Sequence, residues 1–287
     1  MSTETSKKKL LENPIANGIV VPIAIVLVGA IVVFGVTKLL SAERSYKDLV
    51  REMHTKTFGN RWVAAFELSK LISSSQIPEE DIPWLLENLE EIYNKAQDPR
   101  TRQFSVVAAG ALQNENSVSL LEKAVEDSDT KVRFHAVVSV GNMSQGTSFS
   151  KWGKILELLK QKEDIGMTQA ASLALATHRV PQAEPELVKL LTHENAVLRY
   201  TVASGLVNYK NEQAIPVLRE LLELSPGKAG EGSLNEDQVV ALKLSLLNSI
   251  KINEWKILEE EIQQVANSDK SLKVVESAKD LLKSLKN

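Results

Sequence analysis

The sequence predicts an all-α protein, a stack of helix pairs behind one apolar N-terminal helix. Three observations predict it. First, a phrase recurs in which an acid or amide stands four residues before a basic or polar residue, and a helix of small residues follows. It reads Asp98…Arg102, Asp129…Arg133, Asp164…Thr168, Asn195…Arg199 and Asp269…Lys273, with a weaker copy at Glu236…Val240 and another ending at Arg61. The anchors at 61, 102, 133, 168, 199, 240 and 273 lie 41, 31, 35, 31, 41 and 33 residues apart, and periods of roughly 20–50 residues mark stacked-repeat architectures. Second, apolar residues recur at helical spacing, and nothing alternates with period two over a useful length. Third, residues Asn13 to Thr37 carry no charge.

The N-terminal helix comes first in chain order. Ile19 to Val36 reads IVVPIAIVLVGAIVVFGV, and about 20 apolar residues cross a bilayer as a helix. A buried core helix of that length would carry a polar face, and this stretch has none. Pro22 sits near its start, where a missing amide costs least. Gly18, Gly29 and Gly35 are not at the spacing of a small-xxx-small pairing motif. The basic start Lys7 to Lys9 would suit a cleaved signal peptide, but the apolar run is longer than such a segment and TKLLSAERS offers no convincing cleavage site. The expected organisation is a short polar and basic tail (1–14), a transmembrane helix (15–40), a helical connector (41–57) and a repeat domain (58–287). Lys7, Lys8 and Lys9 before the span nearly balance Lys38, Arg44, Lys47 and Arg51 after it. The lysine cluster on a short tail tips the balance toward an inside N-terminus. The expected location is therefore a single-pass protein of a bacterial inner membrane, with its repeats outside the cytoplasm.

After the connector the helices alternate. Expected first helices are Arg61 to Ser73, Thr101 to Leu112, Lys131 to Asn142, Thr168 to Ala176, Val197 to Asn208, Asp237 to Ile250 and Leu272 to Lys286. Expected second helices are Ile82 to Ala96, Ser117 to Glu126, Trp152 to Gln161, Glu184 to Leu191, Ala214 to Leu224 and Trp255 to Ala266. The second helices carry apolar stripes such as Leu85, Leu86, Leu89 and Ile92, and Pro83, Pro185 and Pro216 preorganise first turns. The first helices carry runs of short side chains, Val107 to Ala111, Gln169 to Ser172 and Thr201 to Gly205. Such runs let a neighbouring helix approach closely, while Leu68, Leu112, Leu175 and Leu206 fill the seam. Aromatics are only 5% of the chain, so small and aliphatic residues must do the packing. One unit cannot bury its own apolar face and leans on its neighbours.

The recurring phrase has a physical reading. An Asp or Asn before a helix accepts terminal amides and favours the helix's positive end. An Arg one turn in can reach the preceding acid or the next unit's loop, so Arg102, Arg133 and Arg199 are expected to form a ladder between units.

Val132-Arg133 with Ala136-Val137 and Val140, Leu198-Arg199 with Val202-Ala203 and Leu206, and Thr101-Arg102 with Ser105-Val106 and Ala109 resemble the HEAT-repeat superfamily. The similarity is to the short bacterial HEAT-like repeats also found in phycobilisome lyases, and it covers roughly residues 58 to 286. The resemblance implies a right-handed α-solenoid of HEAT-like helix pairs, here preceded by one transmembrane helix. Thr168, Val240 and Lys273 depart from the family's Arg, so the ladder is expected to weaken there. The loop SPGKAGEGS, Ser225 to Ser233, is an insertion whose glycines and proline fit a connection.

Composition excludes several functions. There are no cysteines, hence no disulfide, thiolate metal site or cysteine nucleophile. The net charge is -3, and the C-terminal lysines 270, 273, 279, 283 and 286 are interrupted by Asp269, Glu276 and Asp280, so no nucleic-acid partner is expected. A HEAT-like di-iron hydroxylase would need several His-Glu pairs, and only His193-Glu194 is present; His54, His135 and His178 fall in other units. No phosphate loop, dinucleotide fingerprint, serine elbow or zinc-hydrolase helix occurs. Trp62, Trp84, Trp152 and Trp255 read as core or hinge packing residues, with a ligand stripe as the alternative, and Asn142-Met143-Ser144 is a lone minimal glycosylation pattern.

No catalytic, cofactor-binding or metal residue is therefore assigned, and no cofactor is expected. The expected function is a membrane-anchored, non-catalytic scaffold or adaptor. Its partners would be an unidentified protein and the lipid bilayer, the latter through residues 15–40. An accessory subunit of a membrane complex, or a lyase-like or cofactor-handling subunit, is the alternative. The second helices are expected to line the groove.

Overall fold

A computed structural model describes residues 44–55, 58–74, 77–161, 164–225 and 234–285. The expected tail and span, and residues 226–233 of the inserted loop, lie outside the described residues. Among the described residues no helix is long and apolar enough to cross a membrane. The chain divides into two compact units, 1–48 and 49–287; of the first, only 44–48 are described.

The described fold is all helical. After α1 (Tyr46–Met53), seven first helices alternate with six second helices among the described residues. The first helices are α2 (Phe58–Ser73), α4 (Pro99–Ala111), α6 (Thr130–Gly141), α8 (Ile165–Thr177), α10 (Ala196–Leu206), α12 (Glu236–Asn253) and α14 (Leu272–Leu285). The second helices are α3 (Ile82–Lys95), α5 (Val118–Ala124), α7 (Trp152–Leu159), α9 (Glu184–Lys189), α11 (Ile215–Glu223) and α13 (Glu259–Ser268). Each pair stacks on the next in sequence order, giving a right-handed solenoid of HEAT-like repeats.

Capping explains where the first helices begin. The Asp98 carboxylate accepts from Thr101 N at 2.7 Å, and Asp129 from Lys131 N at 2.9 Å and Val132 N at 3.1 Å. Asp164 accepts from Met167 N and Asn195 from Leu198 N, both at 2.9 Å. Each bond satisfies an amide the helix leaves open. In the sixth unit the cap is Asn235 rather than Glu236. Asn235 accepts from Gln238 N at 2.9 Å and Gln238 accepts from Asn235 N at 3.0 Å, a reciprocal box. Four of the six second helices instead enter through short 3-10 turns, such as Glu115–Ser117 and Glu212–Ala214, and Pro83, Pro185 and Pro216 lie in the first turns of three of them. The last of them starts at Glu259, later than the expected Trp255. The chain turns through left-handed backbone at Glu254 (φ 47°) and Leu258 (φ 52°), which keeps the intervening residues out of the helix.

The two rows pack differently, and the difference sets the geometry of the surface. First helices touch through small residues. A methyl group placed on Gly110 of α4 would overlap the Ser139 side chain of α6 and come 3.2 Å from its Cα. The same addition at Gly141 of α6 would sit 3.2 Å from Ala174 Cα of α8, and at Gly205 of α10 it would sit 2.9 Å from Ala176 Cβ of α8. Second helices are bridged by long side chains instead. Glu90 reaches Ser119 (2.9 Å) and Lys123 (2.6 Å), Lys160 approaches Glu186 at 3.9 Å, and Arg219 reaches Glu261 at 2.5 Å. In a curved stack the row whose members approach most closely lies inside the curve. The first helices therefore line the concave side, a correction to the expectation that the second helices would; the small side chains that permit close approach are the reason.

The seam between rows is aliphatic. Leu68, Leu85, Leu89, Leu120, Leu121, Leu175, Leu206 and Leu218 are buried to 1% exposure or less. Gly110→Ala is expected to destabilise the fold by about 1–3 kcal/mol through overpacking, and Ser139→Gly in the same chain to recover part of it. Urea denaturation of the two single variants and the double variant measures this; additive losses would refute the contact. Leu206→Ala is expected to cost about 2–5 kcal/mol by the same measurement.

Candidate functional site

The arginines of the recurring phrase share one geometry. Arg102 Nη1 donates to the carbonyls of Ala96 (3.1 Å) and Gln97 (3.2 Å), six and five residues earlier. Arg133 Nη1 donates to Asp127 O (2.7 Å) and Ser128 O (3.0 Å), and Arg199 Nη1 to His193 O (2.9 Å) and Glu194 O (3.5 Å). Arg61 follows the same rule, its Nε donating to Thr55 O. Each guanidinium thus closes the loop that leads into its own helix. The expected ladder between units is realised only in part, because this clamp uses up the fork's first donors. Thr168, lacking the reach, donates its hydroxyl to Gln161 O (3.1 Å) and Asp164 O (2.9 Å). It closes the same loop from closer in.

Arg102 alone adds a strong link to the next unit. Its Nε and Nη2 hold Asp127 Oδ2 and Oδ1 at 2.8 and 2.9 Å, a bidentate pair. Asp127 is nearly buried and also accepts from Tyr93 Oη (2.7 Å) and Asp129 N (2.8 Å). Burial pushes the Asp127 carboxyl up, but the bonds from Arg102, Tyr93 and the Asp129 amide outweigh it and hold the pKa below its ordinary value. Burial and the Asp127 charge push the Tyr93 phenol the other way. Asp127 also offers its carbonyl to Arg133, so it ties three units' worth of loop together. The sequence reading missed it, although the pattern Asp127-Ser128-Asp129 places a second acid two residues ahead of the cap. Arg199 makes a looser version: Glu220 lies 3.5 Å from Nη2 and accepts from Tyr200 Oη at 2.6 Å. Burial, with that bond to Glu220, pushes the Tyr200 phenol up to about 12.

Where Val240 replaces the arginine, a lysine one turn on takes over. Lys243, 3% exposed, donates to Asp269 at 2.7 Å, and Asp269 also accepts from Ser271 N at 2.9 Å. The link to the seventh unit is therefore kept by a different residue, which the fourth-position grammar could not show.

The first-helix face carries most of the exposed large apolar side chains among the described residues, Trp84 of α3 being the exception. At one end, Trp62 and Phe66 of α2 meet Phe104 of α4. Further along, α8, α10 and α12 border a groove of about 400 Å³ lined by Leu173, Val197, Thr201, Ser204, Ala241 and Leu242. Leu173 is 43% exposed, and the buried Ser204 Oγ has no hydrogen-bond partner. No charged side chain lines this groove.

The histidines do not converge. His54 meets Asn88 at 3.1 Å, His135 meets Gln103 at 3.0 Å, His178 meets Val140 O at 2.8 Å, and His193 Nδ1 accepts from Asn195 N at 3.0 Å. Burial holds the His135 and His178 pKa values down. Among the described residues no group of three or more His, Asp or Glu side chains could hold a metal ion. Trp152 packs between Phe149 and His178, with ring centroids at 4.7 and 4.8 Å.

A family model described as HEAT repeats matches residues 154–229. The comparison with curated proteins finds no match. Among solved structures, the complex of CpcE and CpcF of phycocyanin lyase from Nostoc sp. PCC7120 is 16% identical with a TM-score of 0.55, over 84% of this chain and 94% of that one. The YibA protein of E. coli is 16% identical with a TM-score of 0.52, over 85% of this chain and 83% of that one. The fold is that of a HEAT/armadillo-like repeat protein. The likeness rests on the stacked pairs described above, and at this identity it concerns architecture alone.

Asp127→Asn is expected to destabilise the HEAT-like array by about 3 kcal/mol at neutral pH, since it leaves Arg102 without its counter-charge. The folded pKa of Asp127 lies below the unfolded one. Its contribution is therefore complete above the ordinary carboxylate range and is lost as pH falls through the depressed folded value. Wild type and variant should converge in acid. Denaturation midpoints measured from neutral to acidic pH test this, and a constant gap would contradict it.

Proposed function

We propose that this chain is a non-catalytic, protein-binding repeat subunit held at a bacterial membrane by residues 15–40. One observation carries the binding part of the reading. Among the described residues the first helices carry four of the five exposed large apolar side chains, Phe66, Leu173, Ile252 and Leu272, at 38%, 43%, 63% and 78% exposure, and the second helices carry one, Trp84, at 38%. Exposed apolar surface concentrated on one row of a repeat domain marks a contact site. The membrane part rests on the uncharged stretch Asn13 to Thr37.

Of the two forms such a protein can take, a transient adaptor or a constant accessory subunit of a membrane complex, we favour the subunit. The support is that the Nostoc structure with this fold is itself a complex of two chains, CpcE and CpcF. The same title names phycocyanin lyase, so a lyase-like or cofactor-handling subunit is the second reading. It requires a bound chromophore or other cofactor in the native preparation.

Detergent extraction at native abundance, followed by identification of co-purifying proteins, tests the reading. A partner at constant stoichiometry is the expected outcome; a chain that always purifies alone would refute it. Protease treatment of intact inner-membrane vesicles of known sidedness tests the anchor. The repeats should be accessible from the side opposite the cytoplasm and sediment with the membrane, and removal of residues 1–43 should release them.

A further inference from the structure

We propose that the concave face of the first two repeat units docks an acidic, apolar segment of the partner protein. This rests on the protein-binding reading above and adds the chemistry of what is bound. Trp62 and Phe104 stack with ring centroids 6.4 Å apart, and Phe66 meets Phe104 edge-on at 5.5 Å, making one continuous aromatic strip across α2 and α4. A cation closes each end. The Arg100 guanidinium lies 5.7 Å from the Trp62 ring centroid, and Lys70 Nζ lies 4.3 Å from that of Phe66.

Both cations are exposed, and neither forms an ion pair among the described residues. Lys131, which stands two residues before its anchor as Arg100 does, is likewise exposed and without an ion pair there. Exposed lysines without an ion pair among the described residues also occur elsewhere, at Lys210, Lys256, Lys270, Lys273, Lys279 and Lys283; what sets Arg100 and Lys70 apart is that they border one shared aromatic strip. A strip of three rings bordered by cations without carboxylates is complementary to a segment that brings both aromatic or aliphatic side chains and negative charge.

Other anionic partners fit less well. A single nucleic-acid strand needs a basic groove that follows its backbone, and here two cations flank a short strip on a chain of net charge -3. A bilayer is flat, whereas these side chains come from the row inside the curve.

Selection of a random-peptide display library against the detergent-purified full chain tests the proposal. The recovered peptides should carry Asp or Glu beside Phe, Trp or Leu. Binding of a synthetic, fluorescently labelled version should weaken at least about tenfold in the Lys70→Glu/Arg100→Glu chain and to a smaller extent in Lys70→Gln/Arg100→Gln, with unchanged thermal unfolding. A peptide with Lys in place of its acids should bind the charge-reversed chain better than wild type. Neutral or basic selected peptides, or equal affinity for both chains, would overturn the proposal. So would loss of oligo(dT) or phosphatidylserine-vesicle binding in place of peptide binding. If the co-purified partner stays on the charge-reversed chain, the strip is not its docking site, yet the protein-binding reading survives. If neither chain holds a partner, that reading fails first.

Discussion

Close approach of the first helices is the constraint on which the rest of this structure depends. Gly110 against Ser139 leaves no room for an added methyl group, Gly205 against Ala176 would require a shift, and Gly141 against Ala174 is tighter than ordinary contact. Short side chains gain little by burial individually, but they let helix backbones approach and bring the larger leucines into the seam behind them. Once that row is tight, the second helices must splay, and long charged side chains such as Lys123 and Glu90 span the gaps they leave. The curvature and the identity of the concave face both follow from this inequality.

The arginine phrase is best understood as the device that holds each unit in position for that packing. A first helix can only stack if the loop entering it has a fixed path. The cap residue satisfies the helix amides, and the arginine one turn on gathers the loop's carbonyls, so both ends of the same short loop are tied down. Buried polar backbone would otherwise be left unpaired. Asp127 extends the arrangement across a unit boundary by joining Tyr93, Arg102 and Arg133, and Lys243 with Asp269 does the corresponding work near the other end. α4, which carries part of the aromatic strip, and α8 and α10, which border the apolar groove, are among the helices whose entering loops are tied down in this way.

Much of the fold was legible because its signals are local. Asp98, Asp129, Asp164 and Asn195 cap the helices whose starts they mark, and Pro83, Pro185 and Pro216 sit in first turns. The misreadings have equally specific causes. Asn235 and Glu236 are adjacent and both can cap, and only the reciprocal bond with Gln238 decides between them. Trp255 to Leu258 are compatible with a helix by propensity but are held out of it by left-handed backbone on either side. The surface was the least legible part. Trp62, Phe66 and Phe104 are 42 residues apart from first to last, and nothing in their spacing says that they share one strip.

The sequence by itself determined an all-helical repeat, its period, the caps of four first helices and the uncharged stretch at its beginning, because caps, prolines and apolar periodicity act within a few residues along the chain. Only the tertiary structure decided which row lies inside the curve, which carbonyls each arginine clamps, and that Lys243 replaces the missing arginine at 240. These depend on distances between units, and those distances are set by how closely small side chains let neighbouring helices pack.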